Sequence, residues 1–311
     1  YFDEDELVVV LGGADVGAAF SKLAFDHLIF TGATSVGRHV MRAAAENLTP
    51  VTLELGGKSP VIIGAGADIG KAAARVMQGK TMNAGQICLA PDYVMAQQAQ
   101  VAPFIDAAKA AVGKMYPSMK DNGDYTAIIN QRHFDRLRGL IADAKAKGAD
   151  VIEINPGNED FSQQEHRKIP PTLIIGATDD MGVMQEEIFG PVLPIRTYDT
   201  LNQTIDYVNA HPRPLALYYF GEDKAESEAL LARTHSGGVT INDVIFHFTM
   251  DDLPFGGVGA SGMGAYHGKR GFIEFSHEKA IYRQTASEMI AMLRPPYGDT
   301  FRKQVAARLK P

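Results

Sequence analysis

The chain has 311 residues, 45% of them hydrophobic and 22% charged, enough to bury the cores of about two domains. A formal net charge of -7 argues against nucleic acid or an anionic membrane surface as partner, since either wants a basic face. No apolar run nears the roughly 20 residues of a membrane span, the acidic opening Tyr1-Phe2-Asp3-Glu4 is no secretory signal, and a single cysteine excludes an internal disulfide and fits the cytoplasm.

Short β-branched runs alternate with helical patterns along the chain, which predicts an α/β fold with a parallel sheet. There is no initiator Met, and an apolar run at 7–11 predicts a strand almost at once, so the sequence reads as a piece of a longer chain. A helix is expected over 16–23 with Asp15 as cap, then a strand at 27–31, a helix at 35–48 and a strand at 52–55 ending at Gly56-Gly57. Together these hold about half of a dinucleotide-type sheet. A new series follows residue 58: strand 61–63, helix 68–81, strand 93–96, and helices 101–115 and 133–147. Strands 173–175 and 192–198, helix 201–209, strand 215–220, helix 222–235 and strand 239–242 complete it. The glycine-rich residues 253–271 are expected as one long loop, and the tail from Met289 as irregular up to a short basic helix.

The lone cysteine sits in Asn83-Ala84-Gly85-Gln86-Ile87-Cys88, between a helix and a strand. Such a cysteine is most often an inert small hydrophobe. Here Ala84 and Gly85 leave room beside the sulfur, and reactivity would require a local positive environment. Glu54 lies in Glu54-Leu55-Gly56-Gly57-Lys58-Ser59-Pro60, at the end of an apolar strand. A buried carboxylate is costly unless paired or protonated, so Glu54 reads either as an edge-strand partner of Lys58 or as a general base with a raised pKa. Phe30-Thr31-Gly32-Ala33-Thr34-Ser35-Val36-Gly37 is a strand–turn–helix whose amides suit a pyrophosphate. Two other glycine runs are decoys: 257–262 fits G-x-G-x-x-G but follows no strand, and the spacing of 64–70 is off by one. Gln185-Glu186-Glu187-Ile188-Phe189-Gly190-Pro191 reads by itself as a solvent-facing turn. The nine histidines show no paired ligand spacing and one Cys cannot build a thiolate site, so no catalytic metal is expected.

Taken together these segments resemble the aldehyde dehydrogenase superfamily, from the first residue to about Ile281. Residues 54–60 are similar to its glutamate motif and 83–88 to its cysteine motif, and the 34-residue interval from Glu54 to Cys88 is what that family shows. Residues 30–37 look like its phosphate turn, 187–191 like its nicotinamide-ribose clamp and 253–259 like its late active-site loop. Ile241-Asn242-Asp243-Val244 with His247, and Arg294-Pro295-Pro296-Tyr297-Gly298, look most like the class 3-type branch. The resemblance implies a three-layer parallel-sheet fold with a partial Rossmann-like cofactor domain. Residues 1–57 would be the C-terminal part of the NAD(P)-binding domain and 58–256 the catalytic domain. The active-site loop, an oligomerisation strand and the tail would occupy 257–311.

The same resemblance implies the chemistry. Cys88 would attack an aldehyde to give a thiohemiacetal, hydride would pass to NAD or NADP, and Glu54 would activate the water that hydrolyses the thioester. Gly32, Ala33, Thr34, Ser35, Val36, Gly37 and Leu55 would line the cofactor, with Glu187 on a ribose and Phe189 beside the nicotinamide. Ala33 stands where many relatives carry Ser or Asn. Met82, His247, Phe248 and Tyr266 would face an aromatic aldehyde of the coniferyl type, in a cytoplasmic homodimer. The family's first cofactor strands, its oxyanion-hole asparagine and its adenosine-ribose residues would precede Tyr1, so this chain alone is expected to bind cofactor poorly and turn over little. Two further readings stay open: a structural fragment with an inert thiol, and a cofactor-independent thiol ester hydrolase using only the deacylation half.

Overall fold

Val61, Ile62 and Ile63 are all fully buried, which a strand achieves only when both faces of its sheet are covered. The structure, a computed structural model, describes residues 1–286 and 294–309. It divides into two units, 1–275 and 276–311. The first contains β1 (Leu28–Gly32), α2 (Thr34–Ala45) and β2 (Val51–Leu55) after a short α1 (Ala14–Phe20). Next come β3 (Pro60–Ile63), α3 (Ile69–Thr81), β4 (Tyr93–Ala96), α4 (Gln98–Met115), α5 (Gln131–Ala146), β5 (Asp150–Glu153) and β6 (Thr172–Ile175). They are followed by α6 (Gly182–Gln185), β7 (Val192–Thr197), α7 (Leu201–Ala210), β8 (Ala216–Phe220), α8 (Lys224–Arg233), β9 (Gly238–Ile241), β10 (Gly262–Met263) and α9 (Gly268–Glu274). The second unit carries α10 (Asp299–Arg308) among its described residues; the expected start of the irregular tail at Met289 lies outside them.

Two sheets organise the first unit. The larger runs β5-β6-β7-β4-β3-β8-β9, parallel except for β5 at one edge. Val61, Ile63, Val94, Ala96, Ile195, Tyr218 and Phe220 point to the side packed by α3 and α4. Ile62, Met95, Ile174, Leu217 and Tyr219 point to the opposite side with residues of α5, α7 and α8. Side chains alternate across a strand, so the same run feeds both cores. The smaller sheet is β1-β2-β10, with β2 central: parallel to β1 and antiparallel to β10. Only Gly56-Gly57-Lys58-Ser59 separate β2 from β3, so the chain steps from one sheet to the other within four residues.

The expected strand at 7–11 is not formed. Its five apolar residues lie unpaired and exposed, because a β-run is stable only against a partner strand and β1 pairs with β2 alone among the described residues. The expected loop at 253–271 breaks up into β10 and the start of α9. Apart from β10, no strand forms among the described residues of 257–311, where an oligomerisation strand was expected. Sequence periodicity also passes over β5, whose Asp150 and Glu153 are exposed: a short edge strand with charged ends carries little apolar signal and is guarded against further pairing.

Candidate active site

Glu54 is the fourth residue of the central strand β2, paired with Thr31 of β1 and Gly262 of β10. It is 4% exposed, and neither carboxyl oxygen has a hydrogen-bond partner among the described residues. The ion-pair reading fails: Lys58 instead bonds Asp92 and the carbonyls of Val183 and Glu186, the latter two at 2.7 and 3.0 Å. Burial without compensation favours the neutral acid, and Glu54 is pushed up from 4.5 to about 8. The glycine run 257–262, a decoy for phosphate, serves this strand. Ser261 O accepts from Leu55 N at 3.1 Å, and Gly262 lies across from Glu54.

Cys88 follows α3 by way of a tight turn, in which Asn83, Ala84 and Gly85 adopt φ of 48, 52 and 72°. Three successive left-handed residues reverse the chain sharply. At Gly85 a side chain would collide with the backbone carbonyl of Gly190, so the turn is pressed against the 187–190 loop. The thiol is half-buried. Burial first, then the carboxyls of Glu187 and Glu54, push it up to about 11, against hydrogen bonds from the backbone N–H groups of Cys88 and Leu89. Glu54 and Cys88 also both act on the Tyr266 hydroxyl. The fold thus brings together Glu54 from one sheet, Cys88 from beside the other, and Glu187.

Glu187 is fixed through its loop. Arg136 of α5 donates to the carbonyls of Glu187 and Ile188 at 3.2 and 2.6 Å, and the N–H of Ile188 donates to Asp92 at 2.9 Å. Phe189 takes φ 46°, a strained conformation for a bulky residue. The carboxyl of Glu187 lies against Gly56 and accepts from the N–H of Gly57; burial and the nearby Asp92 raise it to about 7. Near it Lys80 is fully buried with no hydrogen-bond partner for its side-chain nitrogen among the described residues, and burial lowers it to about 8. The sequence reading passed over Lys80, Asp92 and Arg136: Asp92 acts on Lys58 and Ile188, 34 and 96 residues away along the chain, and Arg136 on the 187–188 carbonyls, 51 and 52 residues away.

Two cavities open on this centre. One of about 260 Å³ is lined by Cys88, by Met82 and Phe248 but not Tyr266 of the residues expected to face an aldehyde, and by Arg75, Gly79, Asp243, Val244, Ile245 and Phe246. His247 lies outside it. Its Nδ1 meets Thr240 Oγ1 at 2.8 Å, its ring covers Gly238, and burial lowers its pKa. The other cavity, about 410 Å³, runs from Thr34 and Arg38 to Gly56, Gly57, Lys58 and Glu187. The turn 32–37 opens α2 here with Ala33 as N-cap, which offers no side-chain oxygen; Val36 and Gly37 donate to the carbonyl of Ala33, and the N–H groups of Thr34 and Ser35 at the helix start are left for an anion. A Cβ at Gly37 would stand 2.6 Å from Leu55, so this glycine lets α2 lie directly on β2. The donor set fits a dinucleotide: uncapped amides at one end of the cavity, an anchored carboxyl at the other. Among the described residues no group of three or more His, Cys, Asp or Glu could hold a metal ion.

Residues 2–281 match the aldehyde dehydrogenase family. The probable coniferyl aldehyde dehydrogenase of Caulobacter vibrioides is 65% identical over 99% of this chain, which covers 64% of that protein. The coniferyl aldehyde dehydrogenase of Pseudomonas sp. HR199 is 58% identical over 96% of this chain, which covers 62% of it. Among solved structures, AldH of Staphylococcus aureus in its substrate-bound state superposes with a TM-score of 0.89 at 40% identity, over 99% of this chain and 66% of that one. The chain therefore spans less than two thirds of the length of the curated relatives it matches.

Proposed function

The chain belongs to the aldehyde dehydrogenase family, and from that premise we propose that its site oxidises an aromatic aldehyde to the carboxylic acid. The observation that carries this reading is Cys88, which stands at the wall of an apolar cavity while the raised carboxyls of Glu187 and Glu54 act on its thiol. Cys88 Sγ adds to the carbonyl carbon as its proton passes to solvent water, and the resulting alkoxide oxygen faces the N–H groups of Cys88 and Leu89. A nicotinamide dinucleotide, NAD or NADP, would supply the hydride acceptor that takes the adduct to the thioester. Residues 32–37 would hold its pyrophosphate and Glu187 its ribose. Glu54, with both oxygens open and a pKa near working pH, takes a proton from water as it attacks the thioester carbon. Cleavage of the C–S bond releases the acid and returns Cys88.

The coniferyl aldehyde dehydrogenases among the relatives support an aromatic substrate, as do Phe246 and Phe248 on the cavity wall. A cytoplasmic homodimer belongs to the same reading. No helix among the described residues is long and apolar enough to cross a membrane.

Aldehyde binding and deacylation test it in two steps. An aromatic aldehyde should protect Cys88 from alkylation without cofactor. Acylation of Cys88 by an activated aryl ester should then be followed by release of acid that Glu54→Gln slows by about 100-fold or more. A thiol that no aldehyde protects would overturn the reading in favour of an ester hydrolase if deacylation persists, and of a non-catalytic fragment if the thiol is also inert.

A further inference from the structure

The cavity beside Cys88 has a direction. Arg75, Gln78, Gly79 and Met82 line it, and their spacing places them on one stripe of α3 and its immediate continuation. From Met82, next to the cysteine turn, to Arg75 is about two helical turns, or about 10 Å along the axis. Between them Gly79 supplies no side chain. A Cβ there would stand 2.5 Å from Val244, so the glycine lets the 243–249 segment approach and roof the cavity. Phe246 and Phe248, on that roof, stay 40% and 41% exposed although they border an apolar space. The result is a slot with a nucleophile at one end, aromatic walls, and a charged pair at the other.

That pair is Arg75 and Asp243. Arg75 Nε stands 3.8 Å from Asp243 Oδ2, longer than a hydrogen bond, and Arg75 Nη1 reaches Gln78 Oε1 only at 3.5 Å. Asp243 is oriented by its other oxygen, which accepts from the N–H of Val244 at 2.8 Å. An acceptor and a fork of donors therefore meet at the far end of an otherwise apolar slot without being consumed by each other. Groups placed so discriminate strongly, because a ligand that covers them without hydrogen bonds leaves them desolvated and unpaired.

We propose that Arg75 and Asp243 read a phenolic hydroxyl at the end of the substrate remote from the aldehyde. This rests on the reading of Cys88 as the aldehyde-binding nucleophile, and names what the distal end of that aldehyde must carry. Asp243 Oδ2 accepts the phenol O–H, and the Arg75 guanidinium donates to the phenol oxygen. The aromatic ring lies between Phe248 and the α3 stripe, and a short carbon arm brings the carbonyl carbon to Cys88.

Because Cys88 is the only cysteine, its alkylation reports occupancy of the slot without any cofactor. The probes are para-hydroxyphenylpropanal and para-methylphenylpropanal, saturated aldehydes of matched length whose carbonyls are electronically alike. On the chain itself the hydroxyl compound should protect Cys88 at a concentration about tenfold lower. Arg75→Met and Asp243→Asn should each bring the two compounds level, since neither compound then gains or forfeits a bond at that end, and continued protection by the methyl compound certifies that the slot is intact. Equal protection by both compounds in the parent chain, or a hydroxyl preference that survives both substitutions, would overturn the assignment while leaving Cys88 as the aldehyde site. Failure of both compounds to protect would remove the aldehyde reading and this inference with it.

Discussion

Cys88 is held as a thiol. Its ordinary value of 9 rises to about 11, chiefly through burial and then through Glu187 and Glu54. These two carboxyls, raised to about 7 and 8, are themselves largely neutral in mildly acid solution, so their repulsion of a thiolate grows as they ionise. The resting site thus suppresses its own nucleophile, and activation requires a change at Glu187 or Glu54 or an added positive charge. Alkylation of Cys88 by iodoacetamide should rise about tenfold per pH unit through pH 10, with no plateau near the ordinary value of 9. Glu187→Gln, which removes a negative charge, should raise the rate at pH 8 several-fold. A plateau near 9 in the parent chain would show that neither burial nor the carboxyls hold the thiol as described, and an unchanged rate in Glu187→Gln would remove the carboxyl's part alone.

At the scale of elements, the turn between α3 and Cys88 is where geometry is most demanding. Gly85 combines φ 72° with close contact to the Gly190 carbonyl, so Gly85→Ala meets both backbone strain and a collision with main chain that cannot swing aside. The expected cost is about 2–4 kcal/mol, read from urea denaturation, with altered Cys88 alkylation because the turn also separates from the 187–190 loop. An unchanged unfolding midpoint would mean that the turn tolerates a Cβ. This turn also marks how far sequence reading reaches. The runs 61–63, 93–96 and 215–220 announced the buried strands β3, β4 and β8, since helices on both sheet faces demand unbroken apolar residues. Glu54 and Cys88 stood out as a carboxylate in an apolar strand and a thiol among small residues, but each alone read as readily as structural, and only the motifs of the family resemblance joined them as a pair. What escaped depended on partners rather than on local composition. The run 7–11 has strand composition and no strand beside it. Lys58 looked like a mate for Glu54, four residues away, but is claimed by Asp92. Arg75 and Asp243, 168 residues apart, meet only because Gly79 lets one segment roof another.

Over the whole chain, the buried acids make stability depend on pH in a direction unusual for carboxyls. Glu54 and Glu187 are raised rather than depressed, so in the folded state each keeps its proton where the unfolded chain has lost it. Their stabilisation is complete below 4.5 and is lost as pH climbs through about 7 for Glu187 and about 8 for Glu54. His247 and His133, both lowered by burial, act oppositely, but only below 6.5. Lys80, lowered from 10.5 to about 8, adds stability with rising pH only above about 8. Cys88 begins to subtract only above 9. The interval from 6.5 to 8 therefore isolates the two glutamates. At about 1.4 kcal/mol per pH unit for each group while its folded and unfolded states differ by a proton, the loss across that interval is about 2–3 kcal/mol, most of it from Glu54. Thermal melts through this range should show Tm falling by several degrees as pH rises. Glu54→Gln should flatten most of that fall, and Glu187→Gln only its lower part. A Tm that stays level or climbs between 6.5 and 8 in the parent chain would mean that Glu54 is ionised in the folded state, and its place as a proton acceptor poised near neutral pH would be lost with it.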